Sequence, residues 1–492
     1  MSAIFGETLT FRQENGPKVE LVVFGDEFYA RYETKSGYTA VYDGMLGLYC
    51  YADLVDGEFE STAVPIAESA PQGLRRHLKE APAVRRDKFD ARQAKALVPR
   101  DSTWADKAKP ETYGPNMGLL EGRQVSTGKV RGLTVLVDFP DLPAQVTAEE
   151  VSALLNDDGY TANGNYCSVR EYFRLMSSGK LDFSNVVVGP IRLSHDQHYY
   201  VDNLLAEEAL NLVVGMGIDL SQFDSKKEGY IDALGFMYAG ATQYDGWLWP
   251  HNSYLNWKHG GYHTHFYMIT SQGWSSSDLS IGTFCHESGH MLCRFPDLYD
   301  YGKRDGDFER SAGMGRYCLM SSGNHLDSGR TPAPVCGYLR YLAGWCSNKV
   351  SLNEPGGYEA KHGDYDTALI YNTDYDNEYF IIENRSQLGL DGHLPSSGLA
   401  VYHCDIFGSN EWGGGTADSH YQCGLLQADG HLDLEHNINV GDATDLFAIV
   451  HSEALSYDTQ PSSRLWNGND SGLRIEDIDP AGESMCFNVV QV

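Results

Sequence analysis

Cys285-His286-Glu287-Ser288-Gly289-His290, followed by Phe295-Pro296-Asp297-Leu298-Tyr299-Asp300, decides how the rest of this chain is read. His286 and His290 stand four residues apart, so on an α-helix both imidazoles leave one face, about one turn apart. Two neutral imidazoles at that separation can hold one Zn²⁺, and Glu287 between them can reach a water on the same ion. Zinc lowers the pKa of its water towards neutrality, and a glutamate so placed takes the proton as the water attacks a carbonyl. The plain alternative is a helix with two surface histidines, and the surrounding sequence argues against it. A zinc site with one position open for water needs a third protein ligand. Pro296 ends the helix soon after His290, and the chain then offers Asp297 and Asp300.

HExxH, a short turn and then PDLYD resembles the M6 (immune inhibitor A-like) metallopeptidases, a metzincin-like group of zinc proteases. Cys318-Leu319-Met320-Ser321-Ser322-Gly323 lies where that family places its Met-turn, the bend whose methionine underlies the zinc. A core methionine is the plain alternative for Met320. The family usually reads H-x-x-G-L-P-D. Here Cys293 replaces the glycine, and an extra residue puts Asp297 seven residues after His290. The resemblance implies His286, His290 and Asp297 as metal ligands, with Asp300 the alternative third, and Glu287 as general base. It implies a zinc endopeptidase acting on protein or peptide substrates. Further strings carry the likeness: GDEFY, GYT and YCYA near the N-terminus, SVREYF and SSGKLDFSNVVVG from Ser168, and EYFIIENR, SGLAVYH and LLQADG beyond residue 377. It therefore covers most of residues 18–490.

A chain of 492 residues has room for about three domains. Thirty-one tyrosines and 52 glycines favour strands, turns and loops over a helical bundle. The formal net charge of −31 argues against nucleic acid or an anionic membrane as partner, and an acidic surface otherwise serves solubility. No run of about eighteen apolar residues exists to span a membrane. The start, Met1-Ser2-Ala3-Ile4-Phe5-Gly6, lacks the basic and apolar regions of a signal peptide. Members of the resembled family are typically secreted, whereas this chain reads as cytoplasmic or non-classically exported. Ten cysteines with no C-x-x-C pair are too sparse for a disulfide scaffold.

The expected architecture is α+β: a metzincin-like zinc-protease domain with an N-terminal β-rich pro-region and a C-terminal β-sandwich-like domain. Residues 18–62 alternate apolar and polar, which reads as a small antiparallel unit within a propeptide-like domain over 1–85. A permanent accessory domain reads the same way. Cys50 in this unit invites a thiolate cap on the zinc, with a buried structural cysteine as the plainer reading. Residues 71–110 hold eleven Lys/Arg against five Asp/Glu, so +6, and read as a helix running into a basic linker over 86–125. That linker is the expected cleavage zone if the N-terminal unit is a propeptide.

The peptidase domain is placed at 126–350, with a helix over Pro334 to Trp345 closing it, and a β-rich domain at 351–492. Asp224 to Asp232 stands where relatives carry a calcium loop, although a lysine at its third position puts a cation beside any ion. Asp429, Asp433, Glu435, Asp442 and Asp445 crowd one stretch that can hold Ca²⁺ or serve as a solvated, turn-capped loop. His251 reads as part of a packed loop. The competing function is a catalytically weak zinc-binding or scaffold protein on the same fold, binding a protein partner. A purely structural β-protein would leave the histidines idle.

Overall fold

Alternation of apolar and polar residues builds the first layer. Ile4–Gln13 (β1), Gly16–Gly25 (β2), Ala30–Glu33 (β3), Thr39–Asp43 (β4), Leu48–Val55 (β5) and Glu58–Pro65 (β6) form one antiparallel sheet in sequence order. Ile4, Phe11, Leu21, Val23, Ala40 and Tyr49 point to one face and make a small core, which Trp249 completes from far down the chain. The protein, here a computed structural model, is described over residues 3–96, 118–201, 203–244, 246–302, 309–448 and 454–490.

Pro82–Ala96 (α1) spans the boundary expected at residue 85 and is docked on this sheet. Phe89 is its buried apolar residue, with its ring 5.0 Å from that of Phe28. Lys88 pairs with Glu58 and Glu80, and Arg85 with Glu309. Phe89 anchors the helix, and its long basic side chains run along the surface to their partners, Arg92 to the Glu27 carbonyl among them. Pro99-Arg100 and Lys109-Pro110 lie outside the described residues.

The central layer is a five-stranded sheet built from Gly128–Asp138 (β7), Leu181–Arg192 (β8), Leu234–Tyr238 (β9), His251–Tyr254 (β10) and Phe266–Ser271 (β13), in the order β10-β13-β9-β7-β8. Lys258–His259 (β11) and Tyr262–His263 (β12) form a short hairpin just before β13. All pairs in the five-stranded sheet are parallel except β10–β13, so β10 is an antiparallel edge. Helices Ala148–Asn156 (α2), Val169–Met176 (α3), Leu204–Gly215 (α4) and Gly282–Cys293 (α5) cover its two faces. Leu133, Val135 and Val137 of β7 face α4, while Val130 and Leu136 join α2, α3 and α5. A strand with covered faces on both sides is apolar almost throughout, as LTVLVD is. Thr147/Glu150 and Ser168/Glu171 form capping boxes that start α2 and α3.

Gly337–Leu342 (α6) is shorter than the helix expected over 334–345. Pro334 holds the preceding chain extended, and Gly344, at φ +73°, stops the helix in a conformation few other residues accept. Beyond it, Asn348–Ser351 (β14), Thr367–Asn372 (β16), Glu378–Asn384 (β17), Leu399–Asp405 (β18) and Cys423–Leu425 (β19) form a five-stranded sheet. Gly356–Lys361 (β15), Ser484–Val489 (β21) and Ile475–Glu476 (β20) form a three-stranded one. Phe380, Ile382, Leu399 and Val401 meet Met485, Phe487 and Val489 between these sheets, in sandwich fashion. The opposite face of the larger sheet, through Ile381, Ala400 and Tyr402, enters the same core as α5 and Met320. The fold is α+β. Among the described residues no helix is long and apolar enough to cross a membrane.

Candidate metal centre

α5 carries the His-Glu-x-x-His string through its buried middle. A Cβ on Gly289 would stand 2.7 Å from Met320 Sδ, so glycine between the two histidines lets the methionine lie directly against the helix. The helix ends on Arg294, which adopts φ 57°, ψ 32° in the left-handed region and donates its guanidinium to the His290 carbonyl at 2.9 Å and the Glu121 carbonyl at 3.0 Å. A non-glycine residue is uncommon in that conformation, and these two bonds hold it there. The turn at Arg294 ends the helix and brings Asp297 back to the two imidazoles.

The result is a compact donor set. His286 Nε2 and His290 Nε2 are 3.2 Å apart, and Asp297 Oδ1 stands 3.2 Å from the first and 3.3 Å from the second. For zinc bonds of about 2.0–2.1 Å, the edge of a tetrahedron is about 3.3 Å. The triangle therefore fits three ligands of one zinc ion. Each imidazole is oriented from behind: His286 Nδ1 is 2.8 Å from the Leu319 carbonyl and His290 Nδ1 is 2.6 Å from the Phe295 carbonyl. A carbonyl can only accept, so both Nδ1 atoms carry hydrogen and both Nε2 lone pairs face the common point. Leu319 belongs to the bend preceding Met320, whose own carbonyl accepts the Leu298 amide at 2.7 Å.

Asp297 is fixed at both ends. Its Oδ2 accepts from Tyr301 Oη at 2.7 Å, and its amide donates to Glu411 Oε1 at 3.0 Å. Burial acts to raise its pKa, and nearby positive charge outweighs it, holding the carboxyl well below the carboxylate range. Burial, reinforced by the Asp297 charge, pushes Glu411 up to about 8. Asp300 is not part of the donor set: its Oδ1 accepts the Gly302 amide at 2.8 Å and its own amide donates to Ser311 O. Asp297→Ala should therefore weaken zinc binding at least about 10²-fold, against little change for Asp300→Ala, measured by competition with a chelator. The reverse order would overturn the ligand assignment. Tyr301 and Glu411 escape the sequence reading, since Tyr301 is one of many tyrosines and Glu411 lies more than a hundred residues away in NEWGGG.

The remaining candidates fall elsewhere. Cys50 is buried in β5 within the N-terminal sheet, opposite Val41, and not at the donor set. All ten cysteines are free thiols. His251 is buried, with Nδ1 2.7 Å from Trp249 O and Nε2 3.1 Å from Tyr267 Oη. In the loop from Asp224 to Asp232, Arg123 pairs with Asp232 at 2.5 Å and Glu228 at 2.8 Å, so a guanidinium supplies the positive charge expected from calcium. Asp429, Asp442 and Asp445 bring one carboxylate oxygen each within 4.8 Å of one another.

The centre is covered. His286, Glu287 and Asp297 are fully buried and His290 is 3% exposed. Part of the cover is the N-terminal sheet. Phe5 packs edge-on against Tyr299 at 5.9 Å, and Phe28 against Tyr301 at 5.5 Å. Arg310 reaches across to Asp26 at 2.8 Å and to the Tyr29 carbonyl at 2.8 Å. Arg12 stacks on Trp274, 3.7 Å from its ring centre.

No family model and no curated protein matches this chain. Among solved structures it is similar to the crystal structure of metalloproteinase-II from Bacteroides fragilis, at 12% identity over 61% of this chain and 84% of that one, with a TM-score of 0.20. A likeness that slight carries no weight for fold or chemistry. What the protein can do rests on the donor set itself.

Proposed function

We propose that this chain is a zinc-dependent endopeptidase of the M6-like type suggested by its motifs, hydrolysing peptide bonds in protein substrates. The observation that supports it is the triangle of His286 Nε2, His290 Nε2 and Asp297 Oδ1, with Glu287 on the same helix between the two histidines. Zinc bound there supplies Lewis acidity towards a water and a scissile carbonyl. Glu287 takes a proton from the attacking water and returns it to the leaving amine. The carbonyls of Leu319 and Phe295 keep both imidazoles in the binding tautomer. Stoichiometric zinc in the purified protein together with cleavage of casein is the test. Zinc without cleavage, before and after trimming of the N-terminal sheet, would favour a catalytically weak zinc-binding protein. The full burial of Glu287 is the observation behind that second reading.

Calcium is proposed at Asp429, Asp442 and Asp445, and its signature is pH-dependent. Burial and carboxylate neighbours raise Asp445 to about 6 and Glu435 to about 7. Both values lie above those of the unfolded chain, so the folded state holds more protons between about pH 4 and 7, and stability falls as pH rises through that window. In EGTA the Tm should drop by a few °C from pH 5 to 8, less so in Asp445→Asn, and millimolar Ca²⁺ should restore it. A wild-type Tm that ignores Ca²⁺ at pH 8 would count against the site.

A further inference from the structure

We infer that Glu411, supplied by the C-terminal β region, is a positioning residue for the third metal ligand, holding Asp297 so that Oδ1 alone faces the ion. The inference rests on the metal reading above and goes beyond it by making the C-terminal region part of the centre.

Glu411 lies in the connection between β18 and β19 and is 7% exposed. That connection is braced from inside: Asn410 Nδ2 donates to the Cys423 carbonyl at 2.9 Å, and the Cys423 amide returns to Asn410 Oδ1 at 3.0 Å. Two bonds across the base of the loop fix the direction of the next side chain. Glu411 then grips the segment after α5 at two points. Its Oε1 accepts the Asp297 amide at 3.0 Å, and its main-chain carbonyl accepts the Tyr301 amide at 3.2 Å. Trp412 adds an edge-on contact with the Tyr301 ring at 5.4 Å. Tyr301, held by that backbone bond and ring contact, places its hydroxyl on Asp297 Oδ2.

The chain of contacts has a chemical outcome. With Oδ2 engaged by a phenol and the amide engaged by the Glu411 carboxyl, Asp297 presents one oxygen to the imidazole pair and has little freedom to rotate into a two-oxygen mode. The bond from the Asp297 amide to Glu411 joins the turn after α5 directly to the C-terminal region. The left-handed turn at Arg294 ends the helix, and past it the Asp297 amide finds its acceptor in Glu411, as those of Leu298 and Asp300 find theirs in Met320 and Ser311.

The test is zinc affinity by chelator competition in the full chain, with Co²⁺-loaded absorption spectra as a second readout. Glu411→Ala should loosen zinc about 10- to 100-fold and shift the cobalt spectrum. Glu411→Gln, which keeps an acceptor at the same place, should stay within about threefold. A merely structural role would lower the apo Tm of Glu411→Ala and leave metal affinity and spectrum as in wild type, and that result overturns the inference. If Glu411→Ala does not fold, Tyr301→Phe decides: affinity about tenfold weaker supports the relay through Oδ2, and unchanged affinity ends it. A wild-type chain that binds no zinc would overturn the metal reading itself, and is measured first.

Discussion

Glu287→Gln should leave the protein folded and loaded with zinc while turnover falls by about 10³-fold or more. The substitution keeps shape and hydrogen-bonding length but removes the group that accepts a proton from the attacking water, a contribution of about 10²–10⁴-fold in comparable sites. Both imidazoles and Asp297 stay in place, so metal content is unchanged. Metal analysis and peptide-cleavage rates on the same preparation settle it. Activity retained in that variant would end the proposed mechanism.

Removal of the N-terminal sheet carries the second large effect. Phe5, Phe28 and the Arg310–Asp26 pair close over the segment 297–301, and on the proposed peptidase reading that cover would keep substrate from Glu287 until it opens. A cover held by about 3 kcal/mol leaves about one molecule in 150 open, so release should raise cleavage by about 10²-fold. α1 is docked on the sheet, so the productive cut is expected after it, at Arg100, Lys107 or Lys109, rather than at Arg75 or Arg76. Glu287→Gln protein separates self-cutting from cutting by another protease. Asp26→Asn, which weakens the cover without a cut, should give a smaller rise in the same direction. An uncut chain as active as the trimmed one would make the sheet a permanent part of the enzyme.

Much of this is legible in the sequence where local pattern and tertiary outcome coincide. Two histidines four apart need only a helix to share a face, and α5 provides it. The period-two alternation of residues 18–62 needs only a sheet with one buried face. Spacing leaves Asp297 and Asp300 open, because the choice turns on Arg294 entering the left-handed region, which sequence disfavours for arginine. The helix expected over 334–345 is too long because proline and glycine limits outweigh the apolar periodicity. Glu411 leaves no trace: a contact made across more than a hundred residues has no local signature. The basic stretch around Arg85 reads as a helix from its alanine, lysine and arginine content, and Pro82–Ala96 is one; its docking through Phe89 has no local signature.

Trp249 has a consequence for biosynthesis. The N-terminal strands leave the ribosome first, yet the side chain that fills their core is encoded about 200 residues after Tyr49. At about 5–20 residues per second, the nascent sheet waits about 10–40 s with an open apolar socket. During that interval it depends on chaperones or on its own marginal stability, and it closes only when the indole of the later segment arrives. The beginning of the chain is thus finished by its middle.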